Sequence, residues 1–377
     1  MKDQVALLRW VQKNIASYGG NPDDVTIAGY SAGSASVDLL MLSKSAEGLF
    51  HRVIPESGAN LAAFTIQRDP LGIAKEYAKS LNFTNVDDIH ELEKFYRTAS
   101  LELLTSVEIS NKSDSTFLFS PCLERETEQD AFLTESPLSI LKNGSYKKLP
   151  VLYGFANMEG LMRIQSFEDW KHKMNEKFSD FLPADLTFRS DKEKEEVADK
   201  IKKFYFGSQP IGDENVLRFV DFFSDVYFTT SILWTVKLQV EAGNNQTYLY
   251  YYSFVDENTP VVPHTDVRGA DHCAQTDAVG DRDENIASAS FHIMKKTVRK
   301  IWHNFIKTGK PVPEGSALTA WPAAGADRAP YMSLGQKVEL RHEPLLEKRF
   351  RFWEDIYQRY YLEPIPPPAP VLNQAVY

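Results

Sequence analysis

Gly29-Tyr30-Ser31-Ala32-Gly33 sets one serine between two glycines, and its surroundings decide whether that serine is a nucleophile. Three fixed positions of this kind turn up by chance about 0.1 times in a chain of 377 residues, so the pattern needs context. Residues 25–28, Val-Thr-Ile-Ala, are a short apolar run that reads as a buried parallel strand, and residues 34–43 read as a helix. A serine on a sharp strand-to-helix turn stands clear of the sheet, and the glycines beside it let the backbone bend. The N–H groups that open the helix face developing negative charge, which makes the Ala32 N–H a candidate oxyanion donor. This is the chemistry of attack on an acyl carbon. The alternative is a Gly-rich turn with a solvent-facing serine.

A nucleophilic serine needs a base, and the base an orienting carboxylate; on open α/β sheets they follow in the order serine, acid, histidine, each on a loop after a strand. Glu159 fits the acid, because it lies in Gly154-Phe155-Ala156-Asn157-Met158-Glu159-Gly160, directly after the strand expected at 150–153. A surface-loop glutamate is the alternative. Of the eight histidines, only His264 and His272 lie in a loop after a later strand. His272 is preferred, since the small residues of Gly269-Ala270-Asp271-His272 allow a close approach, whereas His264 sits between Pro263 and Asp266. Leu161 and Met162, beside the acid, are apolar candidates for an acyl-pocket wall or for ordinary core packing. No metal is expected. The spacing of His264, Asp266, Asp271, His272 and Cys273 matches no zinc pattern, and Asp281-x-Asp283-x-Asn285 lacks the glycine and glutamate of a calcium loop.

The elements that would position these groups alternate. Residues 2–16 carry Val5, Leu8, Val11 and Ile15 near helical spacing, and Gly19-Gly20-Asn21-Pro22-Asp23 stops that helix. Further strands are expected at 52–55, 150–153 and 248–254, with long helices at 213–241 and 287–308. The result is an α/β fold with a mostly parallel sheet covered by helices. Residues 1–363 read as one domain and 364–377 as a proline-rich tail. With 43% hydrophobic and 25% charged residues, the chain can bury a large core. A net charge of −10 disfavours nucleic acid as a partner. No apolar stretch approaches the ~20 residues of a membrane span. Cys122 and Cys273 make no disulfide framework, and the first residues lack the features of a signal peptide. Sequons at Asn82, Asn111, Asn143 and Asn245 tilt the compartment towards secretion.

Residue by residue the chain resembles the type-B carboxylesterase/cholinesterase family. The resemblance rests on Asp3-Gln4, Leu8-x-Trp10-Val11-x-x-Asn14-Ile15, Gly19-Gly20-Asn21-Pro22, Val25-Thr26-x-x-Gly29 and Ser31-Ala32-Gly33. It continues through Ser57-Gly58, Glu159-Gly160, Gly269-x-x-His272, Trp302-x-Asn304-Phe305-x-x-x-Gly309-x-Pro311 and Trp353. The phrasing is most similar to insect carboxylesterases of the antennal or juvenile-hormone-esterase-like kind. The resemblance implies an α/β-hydrolase fold, no cofactor, a small-molecule ester as substrate, Ser31 as nucleophile, Glu159 as acid, His272 as base and Ser57 as a supporting serine behind the triad. Tyr30 stands where cholinesterases have a glutamate, so choline esters are not implied, and an uncharged hydrophobic ester is expected instead. Relatives that lose a triad member act as adhesion proteins, a rival that the presence of all three residues opposes. The family's Gly-Gly oxyanion loop, first sheet strands and first disulfide precede the helix with which this sequence opens. The resemblance therefore implies the larger, C-terminal part of a family chain, expected to be poorly soluble and nearly inactive by itself.

Overall fold

The computed structural model describes residues 1–106, 113–125, 130–280, 288–316 and 318–367. Six strands form one sheet: β1 (Thr26–Tyr30), β2 (Arg52–Glu56), β3 (Val151–Ala156), β4 (Thr247–Tyr252), β5 (Tyr331–Leu334) and β6 (Val338–Arg341), in that spatial order. β1 to β5 run parallel, with Thr26 opposite Arg52, Val53 opposite Val151, Val151 opposite Thr247 and Tyr250 opposite Met332; β6 returns antiparallel. Parallel neighbours require crossovers, and helices supply them. The helices are α1 (Lys2–Asn14), α2 (Ala32–Leu42), α3 (Pro70–Ser80), α4 (Ile89–Thr98), α5 (Leu101–Leu104), α6 (Pro137–Asn143), α7 (Phe167–Glu176), α8 (Asp191–Phe206), α9 (Val216–Ser224), α10 (Thr230–Glu241), α11 (Ala274–Val279), α12 (Ala289–Thr308) and α13 (Glu347–Tyr360).

Both faces of the sheet are covered, and β3 shows how. Val151, Tyr153 and Phe155 enter one apolar cluster with α2, α9 and α10, while Leu152 and Ala156 enter another with Met294, Val298 and Ile301 of α12. That alternation is the period of two of a strand buried on both sides. No described helix is long and apolar enough to cross a membrane.

Several expectations change. The strand foreseen at 25–28 is β1, which lies at the sheet edge with Ala28 and Tyr30 exposed rather than buried. β5 and β6 were not foreseen. The single helix expected over 213–241 is a 3-10 turn at Asp213–Asn215, then α9, a π-helical turn at Asp225–Thr229, and α10. Residues 362–367 are irregular; the rest of the expected tail, the sequon at Asn111 and the segment with Asp281, Asp283 and Asn285 lie outside the described residues. Asn82, Asn143 and Asn245 are exposed.

Two buried carboxyls tie the strands together behind the site. Asp38 of α2 accepts the Tyr153 hydroxyl at 2.6 Å and the Asn60 N–H at 2.7 Å. Glu56, at the end of β2, accepts from the Tyr250 hydroxyl of β4 and from Thr276 of α11 at 3.2 Å. Burial pushes both acids up to about 7 from ordinary values of 3.8 and 4.5, against the opposing pull of those hydrogen bonds. The native carboxyls thus hold their protons more tightly than the unfolded chain does. Their contribution to stability is complete below the ordinary values and is lost as pH rises through about 7. We expect Asp38→Asn, which cannot ionise, to flatten the decline of unfolding free energy between about pH 4 and about pH 8 by on the order of 3 kcal/mol. Urea midpoints of both proteins across that range test this, and parallel curves would contradict it.

Candidate active site

Ser31 follows β1 directly and caps α2, with φ 55° and ψ −124°. A side-chain-bearing residue at positive φ is strained and needs a surrounding structure that dictates it. Here the Ser31 N–H donates to the Glu56 carbonyl at 2.9 Å, which extends the β1–β2 pairing by one residue, and its carbonyl accepts from Ala35 at 3.1 Å. A Cβ on Gly29 would lie 2.2 Å from the Gly33 carbonyl oxygen, and one on Gly58 2.5 Å from that of Ser31. These two glycines are required by close backbone approach. A Cβ on Gly33 would meet nothing within 4 Å, so the second glycine of the motif has no such requirement. The Ala32 N–H opens α2 and has no acceptor within the helix, as for any first-turn N–H.

Glu159 lies just past β3, at the start of a 3-10 run Glu159–Ser166, and has no solvent exposure. A carboxylate buried to that degree must be fully hydrogen-bonded. Its Oε1 accepts the Ser57 hydroxyl at 2.6 Å and the Ala156 N–H at 2.7 Å. Its Oε2 lies 2.5 Å from His272 Nδ1. Ser57, also at φ 55°, accepts the Gln275 amide at 2.6 Å. The Gly160 N–H donates to Ser224 at 2.8 Å, and a Cβ there would sit 2.2 Å from the Val220 carbonyl, so the acid loop lies directly on α9.

His272 precedes α11, and its Nε2 lies 2.8 Å from Ser31 Oγ. The Phe228 ring stacks on the imidazole with centroids 4.2 Å apart and planes 20° from parallel. The Cys273 sulfur is 3.4 Å from Nε2, and burial pushes that thiol well up, with Glu159 adding to the effect. Ser31, His272 and Glu159 therefore form one unbroken hydrogen-bonded line, joined by Ser57. His264 does not share in it: its ring nitrogens lie 3.1 Å from Glu168 and 3.3 Å from Asp213 at the surface. Those three side chains could bring ligand atoms together, but Lys171 already pairs with both carboxylates, at 2.7 and 2.8 Å.

Ser31 opens onto a cavity of about 260 Å³ walled by Leu39, Phe64, Phe117, Phe119, Met162 and Phe228. Met162 thus lines the space above the serine. Leu161 does not; it lines a neighbouring cleft of about 860 Å³ that shares Met162 as a wall. Sequence reading missed Gln275, Phe228 and the phenylalanines of the cavity. None carries a local signal, because each is one amide or one of 23 phenylalanines brought in by tertiary packing.

A mostly parallel sheet with serine after β1, glutamate after β3 and histidine after β4 is the fold of an α/β-hydrolase. The carboxylesterase family profile matches residues 1–353, and the chain belongs to that family. It is 29% identical over 364 residues to carboxylesterase 1C of Rattus norvegicus, covering 94% of this chain and 62% of that protein. It is 30% identical over 349 residues to juvenile hormone esterase of Heliothis virescens, covering 86% and 59%. The chain therefore spans less than two-thirds of the length of these relatives. The crystal structure of juvenile hormone esterase from Manduca sexta, with OTFP covalently attached, superposes with a TM-score of 0.81 at 25% identity, over 94% of this chain and 69% of that one.

The two motif glycines should respond in opposite ways. Gly29→Ala is expected to destabilise the protein by about 1–3 kcal/mol through overpacking against the Gly33 backbone, whereas Gly33→Ala gains up to about 1 kcal/mol from a residue better suited to a helix. Denaturant midpoints of the two variants measure this, and equal losses would refute the assignment.

Proposed function

We propose that this protein hydrolyses carboxylic esters, with Ser31 as nucleophile, His272 as the proton-transferring base and Glu159 as the carboxylate that orients it. The observation that carries the reading is the line of contacts from Ser31 Oγ to His272 Nε2 at 2.8 Å and from Nδ1 to Glu159 at 2.5 Å, placed at the floor of an apolar cavity. His272 takes the Ser31 proton as Oγ bonds to the ester carbonyl carbon, and the Ala32 N–H donates to the oxygen that becomes negative. The imidazolium then gives that proton to the departing alcohol, leaving Ser31 acylated. A water enters, loses a proton to His272 and attacks the same carbon; the proton returns to Oγ as the acid leaves. Glu159 keeps the Nδ1 proton in place and stabilises the charged ring between these steps.

Walls of leucine, methionine and phenylalanine favour an uncharged, hydrophobic ester. The relatives named juvenile hormone esterases, and the covalent attachment of OTFP in one of them, agree with a nucleophilic site of this kind. Exposed sequons at Asn82, Asn143 and Asn245 suit a glycosylated protein.

The assignment predicts that, in a polypeptide extended to the length of its relatives, Ser31→Ala and His272→Ala each lower kcat on a short nitrophenyl ester by at least about 10⁴-fold, because members of such a unit fail together. His264→Ala, a surface change, stays within about threefold of the parent. Turnover by Ser31→Ala at the parent rate, or an inactive His264→Ala beside an active His272→Ala, would overturn it.

A further inference from the structure

The π-helical turn at Asp225–Thr229 interrupts an otherwise regular helix between α9 and α10. Such turns are uncommon, less favourable than α-helix, and concentrated at functional sites. This one is fastened from several sides. The buried Asp225 carboxylate accepts from Arg349 of α13 at 2.6 and 2.7 Å and from the Tyr205 hydroxyl at 2.5 Å, and Trp353 donates to Tyr205 at 2.6 Å. Arg163, four residues beyond Glu159, donates to the Tyr227 hydroxyl at 2.9 Å. The turn presents Phe228, 2% exposed, flat against His272. The edge of the same ring meets Phe64, with centroids 5.7 Å apart, and Phe228 also walls the cavity above Ser31.

We infer that Phe228 is a positioning residue: its ring, fixed by the π-helical turn, holds the His272 imidazole in the one plane that reaches Ser31 and Glu159 together. This rests on the ester-hydrolase reading for its consequence in turnover, but its geometry does not depend on it. The bond to Cβ and the hydrogen bonds at Nε2 and Nδ1 set where the ring sits, but hydrogen bonds tolerate departures from linearity of about 30°, so the side-chain torsions can still rock it. A surface parallel to the imidazole limits that rocking, and Phe228 supplies one. A tilt of the ring misaligns the nitrogen lone pair with the serine proton, and small misplacements of reacting groups cost large factors in rate.

The test compares Phe228→Leu, which removes the ring, with Phe228→Tyr, which keeps it, using the full chain and nitrophenyl esters from acetate to hexanoate. The expected result for Phe228→Leu is a kcat lowered about 10- to 100-fold by the same factor for every acyl length, with KM for acetate unchanged. Phe228→Tyr should restore most of kcat. A loss that appears only with long acyl chains would mark Phe228 as a cavity wall alone and overturn the inference. A second readout needs no turnover: the low-field proton resonance of the short His272–Glu159 hydrogen bond should be sharp in the parent and in Phe228→Tyr, and broadened or lost in Phe228→Leu. An unchanged resonance in Phe228→Leu overturns the inference. No ester turnover by the parent alongside a resonance lost in Phe228→Leu would sink the hydrolase reading and leave the positioning role intact.

Discussion

The burial of the Glu159 carboxylate is the constraint from which the rest of the site follows. A charged group with no solvent contact must find its donors inside the protein, and its three partners come from three different places in the sheet. Ser57 stands at the end of β2, Ala156 closes β3, and His272 arrives on the segment that follows β4. Satisfying one side chain thus ties the ends of β2 and β3 to the segment that carries His272. Leaving a single donor out would cost about 1–3 kcal/mol. That is comparable to the backbone strain of a serine at positive φ, so Ser57 can be held at φ 55° by the hydrogen bond that conformation makes.

The same balance operates at Ser31. Its strained conformation is held between the Glu56 carbonyl in front and the first turn of α2 behind, and α2 is pinned in turn by Asp38 to Tyr153 and the Asn60 backbone. Glu56 contributes twice, with its carbonyl to Ser31 and its carboxyl to Tyr250 and Thr276. These buried polar groups brace both faces of the sheet, since Tyr153 belongs to one apolar cluster and Tyr250 to the other, while aromatic side chains wall the cavity at Ser31. In the proposed reading, an apolar chamber over fixed donors would take up an ester's hydrocarbon while keeping mobile water from competing with those donors for its carbonyl.

Sequence reading singles out Ser31, Glu159, His272 and Ser57 because each is punctuated locally by small residues and a strand end, and the structure brings these four side chains into one hydrogen-bonded line. His264 was the near miss. It sits in a similar post-strand loop, and only the tertiary fold carries it to Glu168 and Asp213. The short β5 gave no periodic signal in Tyr331-Met332-Ser333-Leu334, although Val338-Glu339-Leu340-Arg341 does alternate as a half-exposed strand should. The exposure of Ala28 and Tyr30 on β1 is illegible in the apolar run itself, which states what can be buried and not what lies beside it, although the resemblance implies a bare sheet edge. The π-helical turn was hidden for a related reason: residues 222–236 are buried at every position but Trp234, and periodicity weakens where a helix is buried all round.

That helix joins the two halves of the site. Ser224, the last residue of α9, accepts the N–H of Gly160 beside the acid, and Phe228, four residues on, lies against the base. In a regular helix residues four apart share a face, and both would reach towards one partner. The wider π turn between them changes the angle and lets one helix meet two partners on separate strand ends. Holding that turn open requires an anchor, and the anchor is Arg349 on Asp225, joined by Tyr205 and Trp353. Arg349 and Trp353 lie on α13, far from Ser31 in sequence and outside the reacting cluster. The C-terminal helix therefore acts on the geometry of the imidazole through one buried ion pair and one turn of irregular backbone, and not through any contact with the serine.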